Sequence, residues 1–233
     1  MSAATATAAT AAAINTTTRA SRAPVLLIDG RSGSGKTELA SAIARDNPHA
    51  ELLRLDNVYP GWGGLERGSA HVHSVVLTEH RWQRWDWLTS ERREWHDLDP
   101  SRPLIIEGCG ALSVANRSLA TFGVWVEFDD AGRKRRAVER DGEMFLPHWD
   151  AWAAQEDAFA ARERPRALAD LVVQGDAPLQ RLVDLVSRRM SAVLSERSPT
   201  EQIQAEPIKA EPIKAEQIQA EPIQAEQIHP GCR

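Results

Sequence analysis

Five short apolar runs recur along the chain, with stretches of helical period lying between and after them. The runs Pro24-Val-Leu-Leu-Ile28, Glu51-Leu-Leu-Arg-Leu-Asp56, Pro103-Leu-Ile-Ile-Glu107, Phe122–Phe128 and Ala169-Asp-Leu-Val-Val173 predict strands. Lys36–Ala44, Ala131–Arg140, His148–Arg164 and Leu179–Leu194 predict helices, the last an amphipathic closing one. Ala70–Trp87 reads as helical too, although its pattern is heavily polar. Strands that alternate with helices predict a parallel sheet covered on both faces, and in such sheets ligands sit outside the strand C-termini. That rule sends the acids Asp56 and Glu107, each at a strand end, to one edge of the sheet.

The turn after the first strand sharpens the picture. Gly30-Arg31-Ser32-Gly33-Ser34-Gly35-Lys36-Thr37 fits G-x-x-x-x-G-K-[ST], between a predicted strand and a predicted helix. Its glycines let backbone N–H groups turn inward around phosphate oxygens, and the helix N-terminus adds the positive end of its dipole. Lys36 is placed to reach the β- and γ-phosphates, and the Thr37 hydroxyl to hold Mg²⁺. All eight residues of the loop are therefore candidate nucleotide-binding residues. The expected fold is a P-loop NTPase-type three-layer α/β/α domain built on a five-stranded parallel sheet.

Composition limits the partners. With 233 residues the chain suits one such domain with tails, and a net charge of −5 argues against nucleic acid as a partner. No apolar run is long enough to span a membrane. Two cysteines, Cys109 and Cys232, make no disulfide framework, which points to a reducing, cytoplasmic setting. Residues 1–22 form an Ala/Thr-rich leader without the apolar segment of a secretory signal and are expected to be disordered. Residues 23–197 are the expected domain, and 198–233 a tail holding the repeat EQIQA, EPIKA, EPIKA, EQIQA, EPIQA, EQIH. Its five-residue period matches neither helix nor strand, so the tail reads as disordered, or as a docking segment for a protein partner with spaced Ile anchors.

The remaining chemistry lies in carboxylates, cations and aromatics. In phosphoryl transfer one strand-end acid can accept a hydroxyl proton while the other orders Mg²⁺. Asp56 is assigned as the base and Glu107 as the metal-side carboxylate, with the swap left open. Arg133-Lys-Arg-Arg136 and Arg140 make a basic helix on which Arg136 and Arg140 share a face. Pointed into the cleft as a lid, they could stabilise charge on a transferring phosphoryl group. A solvated basic face is the alternative. His71-Val-His73 lacks partners at zinc-site spacing, and Cys109 simply neighbours the cleft. Asp129-Asp-Ala-Gly132 matches a GTPase D-x-x-G, but no guanine-reading Asn-Lys-x-Asp accompanies it.

Taken together, Gly30–Thr37, Asp56-Asn-Val-Tyr59 and Leu104-Ile-Ile-Glu-Gly108 resemble the uridine kinase-like branch of P-loop kinases. The resemblance spans nearly the whole domain, and Arg133–Asp141 is similar to the family's arginine-rich lid. It implies ATP and Mg²⁺ as cofactors and Asp56 as the base that activates a nucleoside 5′-hydroxyl, with Tyr59 beside the substrate. The family's pyrimidine-contacting hairpin has no recognisable counterpart in the sequence. Its His-Pro-Asp-x-Phe-Asp segment is echoed only by Arg84-Trp-Asp-Trp87, which would set Asp86 against the acceptor's hydroxyls. Trp62, in a Pro-Gly-Trp-Gly-Gly loop, could stack on a planar substrate. The implied activity is transfer of the γ-phosphate of ATP to a nucleoside-like alcohol. The alternatives are a non-catalytic ATP-binding regulatory module, or a kinase of the same fold for a nucleotide, sugar or other alcohol.

Overall fold

A computed structural model describes residues 23–197; the leader and the repeat tail lie outside the described residues. Five parallel strands form the sheet, β1 (Val25–Asp29), β2 (Glu51–Arg54), β5 (Leu104–Glu107), β6 (Phe122–Glu127) and β7 (Leu171–Gln174), in the order β2-β5-β1-β6-β7. β1 is central and all five of its residues are buried, which is why it reads as an unbroken apolar run rather than an alternating one. Its register sets Val25 beside Leu104 and Ile28 beside Glu107, with Leu26 beside Phe122 on the other flank.

Strand parity divides the core into two layers. Leu26 and Ile28 of β1 join Phe122, Val124 and Val126 of β6 beneath α1 (Lys36–Asp46) and the closing helix Leu179–Arg197. Val25 and Leu27 face the opposite way, with Leu53 and Ile106, toward the helices on the other face of the sheet. Those are α2 (Leu65–His71), α3 (Val114–Leu119), α4 (Asp130–Phe145) and α5 (Trp149–Glu163); a short α6 (Pro165–Leu168) leads into β7, and the closing helix is α7. The three-layer P-loop fold expected from the sequence is the fold of this chain.

One segment differs. The helix begun by α2 runs through a π turn, Val72–Val76, to Leu77–Glu79 and ends at His80, whose φ is 55°. The chain then forms an antiparallel hairpin, β3 (Arg81–Asp86) with β4 (Glu91–Asp97). The helical expectation for Ala70–Trp87 therefore holds only to Glu79, and a hairpin is present where the sequence had suggested none. The cause is a bulge between Gln83 and Trp85, which breaks the two-residue alternation and leaves Trp82 and Trp85 at helix-like spacing. Trp82 and Trp87 pack onto the main core while the hairpin's charged residues face solvent.

The phosphate loop is wedged between backbones. A Cβ on Gly33, whose φ is +80°, would lie 2.0 Å from the carbonyl oxygen of Arg133 at the start of α4. A Cβ on Gly175, just after β7, would lie 2.0 Å from the carbonyl oxygen of Ser34. Gly33→Ala is accordingly expected to cost about 2–3 kcal/mol of stability, combining left-handed strain with a backbone clash. Gly63→Ala, with nothing within 4 Å of the added carbon, should stay within about 0.5 kcal/mol. Urea unfolding midpoints of the two variants check the contrast.

Candidate functional site

A cleft of about 380 Å³ opens at the C-terminal edge of the sheet, with Ser32, Lys36 and Thr37 of the loop at one end. Gly33 and Gly35, with φ of 80° and 100°, turn the loop, and Gly35 forms the N-cap of α1. Lys36 is buried in the cleft. Burial works against its charge, but the carboxylates of Glu107, Asp56 and Glu156 around it hold its pKa above the usual lysine value. The Thr37 hydroxyl lies 3.2 Å from both carboxylate oxygens of Glu107. Burial pushes the Glu107 carboxyl up to about 7, with Lys36 pulling it back and Asp56 pushing it further. A hydroxyl and a carboxylate, both hard oxygen donors, thus converge at the loop's end. Mg²⁺ suits such a pair, because it takes few protein ligands and fills the rest of its octahedron with phosphate oxygens and water. Among the described residues no cluster of three or more His, Cys, Asp or Glu side chains is placed to hold a metal by itself.

Asp56 stands in a turn, Leu55–Asn57, one step beyond β2 rather than inside it, and its side chain lines the cleft. Tyr59 also lines it, but the phenol is buried and its hydroxyl donates to the Cys109 carbonyl at 2.7 Å. Burial raises that phenol well above its ordinary pKa, so it stays neutral. Trp62 forms part of the wall, its ring 4.2 Å from His148 and 5.5 Å from Phe145 in stacked pairs. Cys109 lies beneath, its thiol pushed up to about 12 by burial and hence unionised.

Two expected residues go elsewhere. Asp86 is spent on the hairpin turn, accepting from the N–H of Leu88 at 3.0 Å and pairing with Arg93, and it is not among the residues lining the cleft. The echo of Arg84-Trp-Asp-Trp87 therefore puts Trp87, and not Asp86, at the site. Arg136 donates to the Gly175 carbonyl at 3.0 Å and lies over the Phe128 ring, lining a neighbouring cavity of about 500 Å³. Arg140 lines both cavities, while Gly33 and Gly35 line the neighbouring one. Gly30 and Arg31 sit behind the loop. The Gly30 N–H donates to Asp29, a buried acid lifted to about 6 that also receives the N–H groups of Gly110 and Leu112.

Sequence reasoning missed Glu156. From α5 this buried carboxylate accepts the Ser32 N–H at 2.7 Å, Arg31 Nε and Trp152 Nε1 at 3.1 Å, and Arg133 Nη1 at 3.4 Å. Burial alone would raise its pKa, but the Ser32 N–H, Lys36 and Arg31 reverse that and hold it below the usual glutamate value. Its signal was present. Trp149, Trp152 and Phe159 mark the apolar stripe of the helix, and Glu156 falls on the same stripe, where an acid needs a charged partner.

The fold has counterparts among solved structures. A possible uridine kinase from Bacillus stearothermophilus is similar over 65% of this chain and 88% of its own, at 21% identity and a TM-score of 0.46. A gluconokinase from Sinorhizobium meliloti 1021 is similar over 74% of this chain and 92% of its own, at 18% identity and a TM-score of 0.46. A sugar kinase from Janibacter sp. HTCC2649 is similar over 73% and 98%, at 14% identity and a TM-score of 0.49. No protein-family model matches the chain, and no curated protein matches it.

Proposed function

We propose that this chain is an ATP- and Mg²⁺-dependent small-molecule kinase that phosphorylates a hydroxyl of a nucleoside-like acceptor, with Asp56 as the base. The observation that carries the reading is the convergence of Lys36, Thr37, Glu107 and Asp56 at the phosphate end of an otherwise aromatic-walled cleft. Backbone N–H groups of the loop and Lys36 bind the β- and γ-phosphates. Arg140, on the boundary of the two cavities, faces the same phosphates, and the neighbouring cavity beside Arg136 and Gly175 takes the rest of the nucleotide. Thr37 and Glu107 would hold Mg²⁺, which when bound neutralises phosphate charge.

Transfer follows from the placement of the acids. Asp56 accepts the acceptor's hydroxyl proton while the hydroxyl oxygen attacks the γ-phosphorus in line. The bond from that phosphorus to the β,γ-bridging oxygen breaks, and ADP leaves. Lys36 and the loop amides stabilise the charge on the phosphoryl oxygens. No described helix is long and apolar enough to cross a membrane, and the two-cysteine count supports a cytoplasmic reaction.

The direct test is ADP release with Mg²⁺ and ATP against a panel of nucleosides, nucleotides and sugars. Acceptor-dependent release is expected, and ATP binding without stimulation by any acceptor would count against a kinase. Asp56→Asn should keep ATP affinity within about 2-fold and lower kcat by about 10²–10⁴-fold, as loss of a general base does. Full turnover in that variant would transfer the role to Glu107. Glu156→Ala should destabilise the domain by about 3 kcal/mol, because the Ser32 N–H and the Trp152 indole lose their acceptor and Arg31 and Arg133 keep only the exposed Asp157 and Asp130, and it should weaken ATP binding at the loop Glu156 holds. Thermal melts with and without ATP separate the two effects.

A further inference from the structure

Most polar atoms of the described aromatic wall of the cleft are bonded to the protein itself. Of its aromatic wall, Tyr59 gives its hydroxyl to the Cys109 carbonyl, Trp87 its indole N–H to the Asp56 carbonyl at 2.7 Å, and Trp152 its N–H to Glu156. Three of the wall's polar handles are thus spent on the protein, and the indole N–H of Trp62 is the one aromatic donor of the described wall left to the cavity. Trp62 sits among these rings, 4.9 Å from Trp87 and 5.5 Å from Phe145, and its backbone carbonyl is held by Gln155 at 2.8 Å. Asp86, the acid that sequence reasoning set against the acceptor's hydroxyls, is locked in the hairpin turn. Away from the phosphate loop, the charged or thiol side chains that line the cleft among the described residues are Asp56, the buried Cys109 and the exposed Arg140.

Building on the kinase reading above, we infer that the acceptor is a flat, largely apolar ring bearing one reactive hydroxyalkyl group. Stacking on Trp62 and its neighbours selects the ring, and Asp56 selects the single hydroxyl. The cleft does not read a vicinal diol. A polyol would bring several hydroxyls against aromatic faces that cannot replace their water, and each unpaired group is penalised. A ring mono-alcohol loses nothing there and gains contact area and ring–ring geometry.

Five acceptors test this with the full chain, Mg²⁺ and ATP: 3-(hydroxymethyl)pyridine, indole-3-ethanol, uridine, 2′,3′-dideoxyuridine and gluconate. The expected result is phosphorylation of at least one of the two ring mono-alcohols with kcat/KM at or above that of uridine and gluconate. Dideoxyuridine should fall within about 3-fold of uridine, since in this reading Asp56 is committed to the reactive hydroxyl and Arg140 to the phosphates. Trp62→Ala should raise KM for the preferred ring alcohol by about 10-fold or more while leaving the KM for ATP within about 2-fold, and Trp62→Phe should restore most of the loss. Recovery by phenylalanine separates stacking from a folding defect. Preference for uridine over dideoxyuridine by more than about 10-fold, or for gluconate over both ring alcohols, would overturn the inference and leave the kinase reading standing. ATP binding with no acceptor phosphorylated would overturn both.

Discussion

The site depends on the Glu156 carboxylate, buried at the point where the phosphate loop, the basic helix α4 and the aromatic wall meet. Burying a carboxylate is costly unless it is paired and fully hydrogen-bonded. Here it receives a backbone amide, an indole and two guanidinium groups, and the balance keeps it ionised. That single charge fixes three things. Ser32 is held in the loop, Arg133 is drawn inward at the root of α4, and Trp152, one helical turn before Glu156 on α5, is oriented against Tyr59 at a ring distance of 5.0 Å.

Around this anchor the cleft is sorted by chemistry. Cations and acids gather at the strand ends, where Lys36 stays charged because Glu107, Asp56 and Glu156 surround it. Aromatic rings gather at the far end, contributed by the loop after β2, the hairpin, α4 and α5. A phosphoryl group and an apolar ring would each meet the surroundings that suit them, with Asp56 at the border. The fold alone does not select a substrate.

How much of this was legible follows from how local each signal is. The phosphate loop is readable because eight consecutive residues carry strand end, turn and helix start together. Glu107 and Asp56 are readable because a parallel sheet sends its strand C-termini to one edge, although Asp56 proved to sit in the following turn. The hairpin was hidden by its bulge, which disguises strand alternation as helical spacing. The fate of Asp86 was hidden with it, since only the turn at Leu88 and Thr89 shows what the carboxylate holds. Arg136 shares a helical face with Arg140, as the spacing required, yet the Gly175 carbonyl, supplied from the far end of the domain, draws it to the neighbouring cavity. Glu156 was visible only as an acid on an apolar stripe, and its loop partners Ser32 and Arg31 lie more than 100 residues away.

The backbone wedge around the loop carries a consequence for the order of assembly. Gly33 meets the start of α4, Gly30 meets the Val126 carbonyl of β6, and Gly175 meets Ser34, so the loop is seated by main chain from β6, α4 and the turn after β7. None of those partners is synthesised near it, and contacts of such long sequence separation form slowly because loop closure must precede them. A nascent chain that has emerged only through β5 possesses the whole motif but not its seat. The seat of the loop is therefore complete only in a chain that includes β7 and the turn after it.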